Sequence, residues 1–191
     1  RYYKLGNQIN DKVKVISNKK IMKQAYCYHS AFKQCKDDEI CCLLEGNDWL
    51  YDNNVLERLN NLYNNEKILV TYGGMCKHQD GKLDDMLEIP DFTRQEVLNK
   101  EYRYSNRNYY HLCSGYASLF KSCPIEQLKD HNNEWLKCSA NKAFMCYVLE
   151  QSNGKHMKIN FPTYVYNSCN YDDTNDESWE EYMRLVDERL R

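Results

Sequence analysis

The feature that most constrains the fold is a change of character within residues 37–63, DDEICCLLEGNDWLYDNNVLERLNNLY. An apolar run about one strand long, residues 40–44, stops abruptly at Glu45, Asn47 and Asp48. An amphipathic stretch follows, with Val55, Leu56, Leu59 and Tyr63 at helical spacing and Asp52 or Asn53 placed to cap it. An apolar run without polar alternation predicts a parallel strand covered on both faces. Carboxylates at its carboxyl end need water or a cation, so the turn has the makings of a ligand site.

The flanking segments repeat the alternation. Val13 and Val15 alternate with polar neighbours in residues 11–17 and predict a half-buried strand. Ile21, Ala25, Tyr28 and Phe32 then mark one face of a helix. EKILVTYGG, from residue 66, reads as another buried strand closed by two glycines. Strand, helix, strand, helix, strand is the grammar of an open α/β sheet. Residues 77–108 break it, being polar and weakly periodic, and read as a long substrate-binding loop or lid. Beyond them, YYHLCSGYASLFKSCP predicts a strand and a short helix. Residues 140–150 predict a helix with Phe144, Tyr147 and Val148 on one face and Gly154 past its end. HMKINFPTYVYN predicts a late strand at an edge or bend because of Pro162. Trp179, Met183, Val186 and Leu190 make a stripe on a C-terminal helix of about residues 177–191.

Length and charge narrow the classes further. A chain of 191 residues buries one good core, so residues 1–191 are expected to form a single domain, or one domain of a longer protein. With 26 Lys and Arg against 28 Asp and Glu and no basic block, neither nucleic acid nor an anionic membrane is an expected partner. No apolar run reaches the roughly 20 residues of a membrane span. The opening RYYKLGNQIN does not read as a natural start, which leaves an upstream targeting segment open. Ten cysteines suggest a disulfide framework at first. However, Cys27, Cys41, Cys42, Cys113 and Cys146 sit in apolar periodic segments, and no C-x-x-C occurs. Reduced thiols in a cytoplasmic compartment are the expectation.

An acidic cluster after a strand divides evenly between a metal site and a simple helix cap. Here a wider pattern weighs in. LLEGNDWLYDNNVLERLNNLY resembles the DGDDWL…VL..LN..Y segment of the GT-A glycosyltransferases grouped as family 2. DKVKVISNKK, ILVTYGG, HLCSGYASLFKSCP, EWLKCSANKAFMCYVLEQSNGKH and FPTYVYN resemble further family segments in the same order, over about residues 11–168. The likeness is strongest to the enzymes of large DNA viruses, including those of algae. It implies a GT-A-like open mixed sheet with helices on both faces, and a sugar transferase using a nucleotide-diphosphate donor, a UDP-sugar first of all, with Mn²⁺ or Mg²⁺. For a virus, the product would be glycoprotein glycans made in the host cytoplasm.

The resemblance also implies roles for individual residues. Asp48 matches the metal-binding aspartate, Asn47 the acidic position before it and Glu45 the first acidic position. Asn18, Lys20 and Gln24 match positions near the donor nucleotide, and His156 a residue that in some relatives reaches the metal or pyrophosphate. Tyr72, His111 and the tyrosines of RYSNRNYYH could floor an acceptor subsite, with core packing as the alternative for each tyrosine. Two departures stand out. The family's first strand, ending PTYN, and its second, ending in Asp, have no counterpart here. Asn141 stands where the family carries the aspartate that deprotonates the acceptor, and an amide cannot do so. A base from elsewhere, an impaired enzyme or retaining transfer would each fit; Glu150 is one substitute, about 13 Å further along the helix. A nucleotidyltransferase would need a glycine- and Arg/Lys-rich phosphate loop, which is not seen. A non-catalytic carbohydrate-binding or scaffold domain remains the alternative from another class.

Overall fold

The structure, a computed structural model, describes residues 13–103 and 111–168. The expected C-terminal helix, most of RYSNRNYYH and the first two residues of the 11–17 segment lie outside them. The fold is mixed α/β, with two four-stranded mixed sheets. In the first sheet, β1 (Ile40–Leu43) pairs antiparallel with β6 (Cys113–Tyr116). β6 pairs antiparallel with β3 (Val70–Tyr72), which pairs parallel with β7 (His156–Lys158). In the second, β2 (Trp49–Leu50) pairs antiparallel with β8 (Tyr164–Asn167). β8 runs parallel to β4 (Met75–Gln79), which forms a hairpin with β5 (Lys82–Met86).

Five α-helices complete the described fold: α1 (Gln24–Phe32), α2 (Val55–Asn65), α3 (Arg94–Asn99), α4 (Ala117–Lys121) and α5 (Ala140–Ser152). The most buried is α5, with Ala140, Ala143, Phe144, Met145, Cys146, Val148, Leu149 and Ser152 all inside. Its Phe144 meets Phe32 of α1 edge-on at 5.1 Å, and Phe32 stacks on Phe120 of α4 at 4.4 Å. Each such ring contributes about 1.5–3 kcal/mol by leaving water. α2 buries Val55, Leu59 and Tyr63, the first two in a second cluster with Met75, Leu112, Ile159 and Tyr164. Cys41 packs with the α5 cluster and Cys42 with the α2 cluster. Successive strand residues face opposite sides, so the first sheet lies between two helical layers.

Several expectations are corrected. β1 is antiparallel and, among the described residues, lies at the edge of its sheet with its first three residues only partly buried. A four-residue apolar run encodes burial but not strand direction. Residues 13–17 form no strand, and Val13 and Val15 are 55% and 73% exposed. Ile21 lies before α1, fully exposed, and His29 takes its place on the buried face. The described part of 77–108 is ordered structure rather than a loop. Asp80 and Gly81, both at positive φ, turn the β4–β5 hairpin, the conformation an Asp-Gly pair favours. Thr93 and Glu96 then form a capping box on α3. The run around Pro162 is split between two sheets, and β8 is internal, not an edge. No helix of the described residues is long and apolar enough to cross a membrane.

Candidate functional site

The turn after β1 closes where the Asp48 amide donates to the Glu45 carbonyl at 3.2 Å. It delivers the chain from the first sheet into β2 of the second, and both carboxylates fall at that junction. β8 supplies the donors for Asp48. The Asn167 amide donates to Oδ1 at 2.9 Å, and the Tyr164 hydroxyl donates to Oδ2. The same hydroxyl accepts from the Glu45 amide at 3.4 Å, and Asn167 Nδ2 donates to the Asn47 carbonyl at 3.3 Å. Burial, then the Asp48 carboxylate, pushes the Tyr164 phenol far above its ordinary pKa, so it remains a donor.

Glu45 is held from α1. Gln24 and Tyr28 are four residues apart and share a helix face. Gln24 Nε2 donates to Glu45 Oε1 at 3.2 Å, and the Tyr28 hydroxyl donates to the same oxygen. Tyr28, like Tyr164, is pushed up by burial first and its carboxylate second. Gln24 Oε1 accepts from the Ala140 amide at 3.1 Å, which ties Glu45 to the head of α5.

Asn141 lies at that head. Its Oδ1 accepts from the Lys142 amide at 2.8 Å, leaving Nδ2 to donate to His111 Nε2 at 2.9 Å. His111 Nε2 is therefore the acceptor, and the ring proton sits on Nδ1. That nitrogen is buried beside the Leu43 carbonyl without a well-formed hydrogen bond. The ring stacks on Tyr164 at 4.8 Å. Burial lowers the His111 pKa against the opposing pull of Glu45 and Asp48, so the ring is neutral at physiological pH.

Of the residues singled out from sequence, Gln24, Glu45, Asn47, Asp48, His111 and Asn141 come together here. The others lie elsewhere. Asn18 and Lys20 are exposed in the segment leading into α1, where Asn18 Nδ2 contacts Cys27 Sγ at 3.8 Å. Tyr72 is 2% exposed, packed against Phe92 and His156, a core position rather than an open face. His156 sits in that aromatic cluster with its Nε2 3.0 Å from the Tyr102 hydroxyl. Glu150 is clasped by Arg103 at 2.5 and 3.0 Å, so both of its oxygens are already engaged.

Sequence reasoning missed Tyr28, Tyr164, Asn167 and Lys142. Tyr28 carried a signal, since it lies one turn beyond Gln24. Tyr164 and Asn167 look like any strand residues until β8 pairs with β2. Lys142 occupies the first turn of α5, where the helix dipole disfavours a cation, and burial pushes its pKa down to about 8.

Among the described residues, no group of three or more His, Cys, Asp and Glu side chains is arranged to hold a metal ion. The turn fits a looser kind of site. The Gln24 and Tyr28 hydrogen bonds to Glu45 both fall on Oε1, which leaves Oε2 for a ligand. Mg²⁺ and Mn²⁺ use one or two carboxylates and take their remaining ligands from water and phosphate.

The buried histidines predict a pH dependence of stability. Burial lowers the pKa of His29, His111 and His156 below the unfolded value of about 6.5. Below that pH the unfolded chain binds protons that the folded chain refuses. Stability is therefore fully present above about pH 6.5 and is lost as pH falls toward the folded values. Thermal melts from about pH 7.5 to about 5 should show a falling Tm; a flat profile would contradict the burial of these rings.

Compared with known proteins, the chain matches no protein-family model, and no curated protein matches it.

Proposed function

We propose that this chain is a metal-dependent glycosyltransferase domain with a GT-A-like sheet. It would move a sugar from a nucleotide-diphosphate donor, a UDP-sugar in the first instance, to a glycan hydroxyl. One observation carries the reading: the turn after β1 carries Glu45 and Asp48 three residues apart, donors from α1 and β8 hold the two carboxylates, and Gln24 links Glu45 to the head of α5. Such carboxylates suit a hard cation shared with a diphosphate. When bound, Mn²⁺ or Mg²⁺ supplies the positive charge that neutralises a departing diphosphate.

The protein's own residues do the rest. Tyr28 and Gln24 fix the Glu45 carboxylate, and Tyr164 and the Asn167 amide fix Asp48, so little reorganisation is needed when charge develops. Gln24 links that pair to the α5 head, where an acceptor hydroxyl would meet Asn141 and His111. Asn141 orients the acceptor side without taking a proton.

A second reading, a non-catalytic carbohydrate-binding or scaffold domain, is favoured by Asn141 itself, whose amide is spent on His111 and on the α5 backbone. A turnover screen of UDP- and GDP-sugars with Mn²⁺ separates the two. The transferase releases nucleoside diphosphate only with metal present. Metal-independent sugar binding without release would leave the binding module standing.

A further inference from the structure

Past the C-terminal end of α1, two cysteines come close together. Cys35 lies three residues past Phe32, the last residue of α1, and its thiol donates to the Ala31 carbonyl at 3.7 Å. Cys41 is the second residue of β1. The Cys35 thiol neighbours that of Cys41, both are partly buried, and both line one groove of about 770 Å³ along β1. The segment between them is already turned back on itself. The Glu39 amide donates to the Lys36 carbonyl at 3.2 Å, and the Lys36 amide to Glu39 Oε2 at 2.8 Å.

We propose that Cys35 and Cys41 are a modification site, a thiol pair that peroxide converts to a reversible disulfide. A thiolate of the pair attacks one peroxide oxygen; the O–O bond breaks and, with a proton from solvent, water leaves a sulfenic acid on that sulfur. The second thiolate attacks the same sulfur, the S–O bond breaks, and the departing hydroxide takes a proton to form a second water. Two thiols and one hydrogen peroxide thus give one disulfide and two waters. Cys42 also borders the groove but packs against the α2 cluster, and the pairing with Cys41 is what the variants below distinguish.

Burial, then the neighbouring Cys35 thiol, pushes the Cys41 pKa up to about 12, which disfavours its thiolate, so Cys41 is the resolving partner and not the first to attack. The bond would fasten the end of α1, which carries Gln24 and Tyr28, to the strand that leads to Glu45. The inference is independent of the sugar-transfer reading.

The test is peptide mapping of the full chain after hydrogen peroxide, digested with trypsin without reductant. Residues 34–36 should appear joined to residues 37–58, two hydrogens lighter than the separate peptides, and part on reduction. Cys41→Ser should abolish the joined species and Cys42→Ser should keep it. Oxidised protein should melt roughly 5 °C above reduced protein, a shift missing in Cys35→Ser. A joined peptide that survives Cys41→Ser, Cys35 found only as sulfinic or sulfonic acid, or a link only between two chains would overturn the proposal.

Discussion

Asp48→Asn is expected to lower sugar transfer by a factor of about 10²–10³, a loss of about 3–4 kcal/mol of transition-state stabilisation. The amide keeps the shape of the carboxylate and removes its charge, which is what a cation at this turn requires. The variant also bears a modest stability cost. Asp48 accepts at both oxygens, from the Asn167 amide and from the Tyr164 hydroxyl. An asparagine can accept at only one, and its NH₂ must face a donor. About 1–3 kcal/mol and a Tm lower by a few degrees follow from that mismatch. Turnover measured well below the melting point, alongside circular dichroism, separates the two effects. Wild-type turnover in a folded Asp48→Asn protein would remove the carboxylate from the mechanism.

Gly74→Ala should be the most damaging small change to the fold. Gly74 sits between β3 of one sheet and β4 of the other at φ +82°. A Cβ there would lie 2.5 Å from both the Phe161 carbonyl and Thr163 Oγ1. Its carbonyl accepts from the Thr163 amide at 2.8 Å and the Tyr164 amide at 3.2 Å. Left-handed strain and a backbone clash together should cost about 3 kcal/mol or more, lowering Tm by roughly 10 °C. Because the shift falls on Tyr164, donor affinity should drop with stability. Gly46→Ala is the matched control, with no atom within 4 Å of the added Cβ and no positive φ, and should melt like wild type. A Gly74→Ala protein as stable as Gly46→Ala would mean that the junction between the sheets is not built as described.

What was legible in the sequence were the features governed by near neighbours. The stripe Val55, Leu56, Leu59, Tyr63 marked α2, although Leu56 turns out 54% exposed, and the run from Ala140 marked α5, because helical periodicity records burial. The turn at Glu45–Asp48 was legible because carboxylates cannot continue a buried strand. The Asp80-Gly81 turn was equally local and was passed over, since the charges around it resembled a loop. What stayed hidden depends on distant partners. Val13 and Val15 alternate as a strand does, yet pairing needs a neighbour, and periodicity names none. Neither the edge position of β1 nor its antiparallel direction could be read, because both are set by pairing with β6, some 70 residues later in the chain. Tyr28, Tyr72 and Tyr164 are the same residue type in similar apolar company, and only the fold sorts two to the carboxylates and one to the core. Asp48 and Tyr164 lie 116 residues apart in sequence, and nothing at either end announces the other.

The central claim is that the acidic turn holds a divalent cation against a donor diphosphate. Manganese scatters anomalously, so crystals grown with Mn²⁺ and UDP locate the ion without reference to activity. The account predicts one strong anomalous peak about 2.2 Å from an Asp48 carboxylate oxygen, bridged to the diphosphate. Clear density for UDP with no manganese at Asp48 would contradict it.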